Sequence, residues 1–223
     1  MKHLIALTAL LLVPAASVAT AQQPVAPAAN APGLDAEGLL PMAAKNVESA
    51  ARRPGVDWKS YDRILVQPVR VAFSKSWNTK EYGSFGLTTA EVTKMRTGLA
   101  DLTQAVFKDV LRRGGYTVVD APDAGVLAVK PDLTDVYVNA PEGTAGGAAK
   151  TVAMNVGEMR LALEVSDAVT GTVLARASDR KRGADGTPVR WAGSGYNRAE
   201  AERVLRIWAE QLKDALDAVR SAP

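Results

Sequence analysis

The chain has 223 residues with no cysteine and one histidine, and 27 Lys and Arg against 24 Asp and Glu give a net charge of +3. Without thiols, and with its one imidazole at His3, it lacks the material for Cys or Ser-His-Asp nucleophilic catalysis, thiolate metal sites and imidazole acid–base work. So mild a positive charge also argues against nucleic acid as a partner.

Residues 1–21 have the order of an export signal. Lys2 supplies the positive start, Leu4 to Val13 an apolar stretch, and Ala19-Thr20-Ala21 the small residues a signal peptidase reads. The apolar run is shorter than the roughly 20 residues that span a bilayer. A lipoprotein signal needs a cysteine at the cleavage point, so the expected product is unlipidated and periplasmic, with no integral membrane segment after cleavage. In an oxidising compartment its stability then has to come from core packing and hydrogen bonds, without disulfides.

Residues 22–54 read as a Pro/Ala-rich spacer with a short helix near Pro41 to Arg53, broken by Pro54-Gly55. One α+β domain is expected over 55–223. Arg63 to Phe73 is its first strand, with a bulge or local edge at Pro68, which has no ladder donor. Thr88 and Glu91 have capping-box spacing, and Val92, Met95, Leu99, Leu102, Val106 and Val110 form one apolar stripe behind them. Gly114-Gly115 ends that helix, with Arg112 and Arg113 well placed against its dipole.

Tyr116 to Val119 reads as a short strand and Val126 to Val138 as a longer one interrupted at Pro131. Met159, Leu161, Leu163 and Val165 alternate with polar residues, Asp167 to Gly171 turns the chain, and Thr172 to Arg180 returns as the partner strand. A last helix begins at an Asn197 N-cap with Glu200 behind it, and buries Ala201, Val204, Leu205, Trp208, Leu212, Ala215, Leu216 and Val219. This order predicts a mostly antiparallel sheet of about five strands, with two amphipathic helices packed on one face and a right-handed parallel crossover joining the first strand, helix and second strand.

The residues just placed resemble, in their order and spacing, the domain-of-unknown-function 3313 family of bacterial envelope proteins. Gly55-Val56-Asp57-Trp58, Tyr61-Asp62-Arg63 and Pro68-Val69 carry the opening of the likeness. Gly115 to Asp120, Leu133 to Val136, Asp167-Ala168 with Thr170-Gly171, Leu174-Ala175, Trp191 and Trp208 continue it, over roughly Gly55 to Leu216. The resemblance implies an envelope protein with no assigned activity. Many members look like outer-membrane lipoproteins, so the missing lipidation cysteine sets this chain apart.

Four constellations invite a functional reading. Gly143 to Thr151 has a phosphate-loop look, but Ala149 stands where that motif needs Gly and no Gly stands at 144. Asp132, Asp135 and Glu142 offer carboxylates for glycan hydrolysis, although a spacing of three puts the first two on opposite faces of an unbroken strand. Trp77, Tyr82 and Phe85, interleaved with Lys75, Lys80 and Glu81, form a loop suited to stacking on a sugar, anchoring a partner or capping the sheet; Trp191 near Tyr196 repeats the choice. Arg176, Arg180, Lys181 and Arg182 cluster at a strand end, either to touch envelope anions or to defend a sheet edge.

The expectation is a non-enzymatic binding or accessory module for a protein partner or envelope component. Trp77, Tyr82, Phe85, Arg180, Lys181 and Arg182 are its candidate partner-binding residues, with no catalytic residue, cofactor or metal. The alternatives are a carboxylate-dependent hydrolase of envelope glycans and a structural subunit of an envelope assembly. Oligomeric state is left open.

Overall fold

A computed structural model describes residues 35, 37–81, 86–139, 155–182 and 194–221. Eight strands form one sheet: β1 (Leu40–Met42), β2 (Ser49–Arg52), β3 (Arg63–Val66), β4 (Val71–Phe73), β5 (Thr117–Val119), β6 (Val126–Asn139), β7 (Asn155–Asp167) and β8 (Val173–Arg182). The helices are α1 (Thr89–Arg113) and α2 (Ser194–Ser221). The sheet order is β1-β2-β8-β7-β6-β3-β5, with β4 also beside β6.

The α+β class and both helices agree with the sequence. The sheet agrees only in part: β3 runs parallel to β5, as a crossover around α1 requires, but β3 and β4 also run parallel to β6, so the sheet is mixed and not mostly antiparallel. Part of the larger strand count comes from β1 and β2, which occupy the segment expected to be a helix. They pair antiparallel with each other, and β2 pairs with β8 through Ser49↔Ser178 to Arg52↔Ala175. The sheet therefore begins at Leu40, ahead of the expected domain start.

Within β2, the Arg53 N–H that follows it donates to Leu174 O on β8. By alternation Ala50 and Arg52 turn their amides to β1, and Pro41 of β1, opposite Ala51, faces its nitrogen to the free edge. A proline there costs no ladder bond.

The other break in expectation involves two prolines. β6 runs unbroken through Pro131, and it is the neighbouring column that splits, at Pro68, into β3 and β4. Gln67 N–H donates to Val129 O before the gap, and Leu133 N–H to Arg70 O after it, at 2.8 Å each. Pro131 shares the alternation of Val129 and Leu133, so its missing donor faces the gap left by Pro68. The Asp132 carboxylate bridges this gap. Its Oδ1 accepts Arg70 N–H at 3.0 Å, and its Oδ2 accepts Arg70 Nε at 2.9 Å.

α1 forms as its sequence directs. The Thr88 hydroxyl accepts Glu91 N–H while the Glu91 carboxylate accepts Thr88 N–H, and Gly115 leaves the helix at φ +88°. Its stripe joins Ile64, Val66, Leu127, Val129, Leu133, Leu161, Leu163 and Val165 of the sheet in one core cluster with Leu205, Trp208, Leu212 and Leu216 of α2. Arg206 Nη1 of α2 reaches Asp109 Oδ2 of α1 at 3.3 Å across the helix pair. α2 starts at Ser194, ahead of the expected Asn197 cap, and Ala215 is exposed instead of buried.

The β7–β8 turn carries a polar latch. Gly171 takes φ +69°, and Asp167 Oδ1 accepts Val169 and Thr170 N–H while Oδ2 accepts the Tyr61 hydroxyl at 3.0 Å. Burial, seconded by the bond to Asp167, pushes the Tyr61 phenol up to about 12. Donation from Thr170 N–H holds Asp167 below the usual carboxylate range, against the opposing pull of burial. A raised folded pKa means that Tyr61's contribution is complete below its unfolded value of 10.0 and is lost as pH climbs through about 12. The depressed Asp167 contributes above its unfolded 3.8 and loses that contribution as pH falls. Ultraviolet titration of the native protein should therefore show one phenol ionising near 12 that disappears in Tyr61→Phe. An unchanged titration in that variant would remove the latch.

Candidate ligand-binding groove

The helices do not reach across the whole sheet. α2 lies over β7, where Leu161, Leu163 and Val165 fill the space beneath it. Opposite Leu163 and Val165 the next strands turn small alanines to that side, Ala177 and Ala175 on β8 and Ala50 on β2, flanked by Asp179 and Arg52, so volume is left unfilled between α2 and the β1–β2 hairpin. The result is a partly open groove of about 650 Å³, within the roughly 300–1,000 Å³ usual for small-molecule sites. Its floor is those alanines with Leu161, Leu163 and Val165; α2 gives one wall and the Met42–Val47 turn region the other.

Polar groups pin the walls. Trp208 Nε1 donates to Asp179 Oδ2 at 2.8 Å, and Lys181 Nζ lies 2.7 Å from the same oxygen. Gln211 Nε2 and Lys181 Nζ both donate to Asn46 O, at 3.4 and 3.5 Å, tying the hairpin turn to α2 and β8. Gln211 Oε1 is buried with no hydrogen-bond partner among the described residues, which leaves an acceptor in the groove wall. At one end the groove meets a smaller, polar hollow of about 280 Å³, and the two share Arg52, Trp58 and Val219.

Most of the residues singled out from sequence lie elsewhere. Trp77 stacks on Phe73 with centroids 4.3 Å apart, donates Nε1 to Val138 O at 3.0 Å and packs against the core cluster. Tyr82, Phe85, Glu142, the 143–151 loop and Trp191 lie outside the described residues, as does the side chain of Tyr196. The basic cluster is matched by acids: Arg176 lies 3.1 Å from Glu37 and 3.0 Å from Glu164, Arg180 3.1 Å from Glu158, and Arg182 3.0 Å from Glu158. Arg176 is among the residues that line the groove, and Lys181 touches its polar wall through Asp179.

Asp132 and Asp135 are likewise committed to cations. A bulge around Asp135, at φ +51°, brings its carboxylate within 3.6 Å of Arg160, while Asp132 holds Arg70. A second hollow of about 520 Å³ lies between Arg70, Ala162 and Ser178; its acids Asp132 and Glu164 are the ones paired to arginine. Sequence reading missed the groove because it is built from alanines and from a hairpin mistaken for a helix.

The model for a protein family of unknown function, DUF3313, matches residues 37–212. The chain belongs to the DUF3313 family. The match starts ahead of β1, so the family's shared unit includes the hairpin that walls the groove. No curated protein matches this DUF3313 chain.

Among solved structures, the PelC dodecamer from Paraburkholderia phytofirmans is 14% identical at TM-score 0.33, covering 70% of this chain and 94% of its own. A minor lipoprotein from Acinetobacter baumannii is 12% identical at 0.36, covering 72% and 95%. Rare lipoprotein B from Shewanella oneidensis is 12% identical at 0.26, covering 67% and 93%. Superpositions this loose carry nothing about this chain's ligand or assembly.

Proposed function

We propose that this DUF3313 protein is an exported, non-enzymatic binding module of the cell envelope, and that the groove between α2 and the β1–β2 hairpin is where it holds its ligand. The observation that carries this reading is the groove itself, an apolar trough lined by Leu161, Leu163, Val165 and Trp208 and open beside a polar hollow. These side chains are themselves well packed, and what supports a ligand is the open volume of about 650 Å³ left above them, the size of a small-molecule site. Export is supported by the leader sequence, and among the described residues no helix is long and apolar enough to cross a membrane.

The test is photo-cross-linking in living cells from a probe placed at Ala215, on the groove wall, or at Ala162, on the opposite face of the sheet. The expected result is a discrete envelope species captured from the 215 position and absent from 162. Capture from 162 alone would move the working surface to the charged face and end this assignment.

A further inference from the structure

The groove's two ends differ in chemistry. The long part is apolar, and most of its charges are internally matched: Asp179 by Lys181, Arg176 by Glu37 and Glu164, and Asp214 by Lys213 at 2.8 Å, with the exposed Lys45 on the hairpin turn an unmatched cation of its wall among the described residues. The polar hollow at its end is different. Arg52, Arg53 and Lys59 line it against one acid, Asp57. Asp57 turns its carboxylate onto its own turn, accepting Lys59 N–H at 3.1 Å. Arg53 spends its guanidinium on the carbonyls of Val173 and Glu37, and none of the three cations has a carboxylate partner among the described residues. Arg52 belongs to both cavities, so an unmatched positive end is continuous with an apolar trough.

We infer that the ligand is a single-chain anionic amphiphile, its hydrocarbon chain lying along the trough and its acid head between Arg52 and Lys59. This rests on the groove being the ligand site and adds the class of molecule. An apolar trough selects for hydrocarbon with little regard to head, because burial scales with area. Two to three unmatched cations at its mouth then discriminate between heads by sign, favouring an anion and repelling a cation. A purely apolar ligand would leave those cations idle, and a free inorganic anion would leave the trough empty.

The experiment follows the intrinsic fluorescence of the full-length protein, since Trp58 and Trp208 both line the trough. Bromine-tipped undecanoate is titrated against a bromine-tipped undecyl trimethylammonium of the same chain, both as dissolved monomers. Saturable quenching by the carboxylate is expected, with the ammonium at least about tenfold weaker. In an octanoate, decanoate and dodecanoate competition series, each two-carbon step should strengthen binding roughly 15-fold, about fourfold per methylene.

Arg52→Glu with Lys59→Glu, both exposed positions, should erase the head preference while leaving chain-length dependence in place. Ala215→Phe, an exposed residue on the groove wall, should abolish binding of both compounds. Equal binding of the two heads by the native protein would overturn the anionic assignment while the groove stands. A preference that survives in Arg52→Glu/Lys59→Glu would place the head elsewhere and overturn it too. No saturable binding of either compound would overturn this inference, while the groove reading falls separately, to cross-linking from 162 alone.

Discussion

Trp208→Ala should lower the stability of the protein by about 3–5 kcal/mol, as large aromatic-to-alanine truncations in cores do. Trp208 is 1% exposed and sits where α2 meets β7 and β8. Its removal opens a cavity beside the groove and takes a donor from Asp179, a carboxylate itself only 4% exposed. Trp208→Phe separates the two effects, because it keeps most of the volume and drops only the indole N–H. That variant should lose about 1–2 kcal/mol, the cost of leaving a buried acceptor short of one bond. Urea midpoints at constant slope measure both. Equal losses in the two variants would locate the whole effect in the N–H and refute the packing argument.

Asp132→Ala should lose about 2–3 kcal/mol, the sum expected when charge-assisted bonds go and a backbone donor is left bare. The carboxylate stands in for the ladder bonds that Pro68 and Pro131 cannot make, accepting the Arg70 amide directly. Arg70→Ala is the control. It removes the guanidinium, whose side chain is 74% exposed, but leaves the amide bond, and should cost less than about 1 kcal/mol. If Asp132→Ala matched the control, the carboxylate would be a surface ion pair and no suture. The same residue had looked like half of a catalytic pair; its place between two prolines gives it a structural occupation instead.

What the sequence disclosed was local. The Thr88–Glu91 box, the Met95–Leu99–Leu102–Val106 stripe and the Asp167–Gly171 turn each write their geometry within a few residues, and each is where it was read. Sheet direction is not local. The strand–helix–strand order gives the parallel crossover from Arg63–Val66 to Thr117–Val119, but nothing within Arg63–Val66 says that Val126–Val129 will also run parallel to it.

Leu40-Pro41-Met42 and Ser49-Ala50-Ala51-Arg52 carry no β-branched residue, and become strands because β8 arrives more than a hundred positions later to pair with β2, on which β1 then folds back. The groove depended on that hairpin, so it was invisible too. A cavity is made by what is missing, and Ala175 and Ala177 read in sequence as ordinary small residues of a strand. The candidate site was not legible: of the residues read for partner binding, Trp77, Arg180, Lys181 and Arg182 are outside the groove's lining.

Pro41 has a consequence for how copies of the chain can meet. With Leu40 and Met42 turned inward to β2, the outer margin of β1 offers a carbonyl at its centre and no N–H. A passing extended segment finds no donor there, so this margin is a poor template for strand addition, the route by which unprotected edges seed fibrils. Copies that join strand to strand are then confined to the opposite margin of the sheet, at β5, and pairing across β1 is withheld from them.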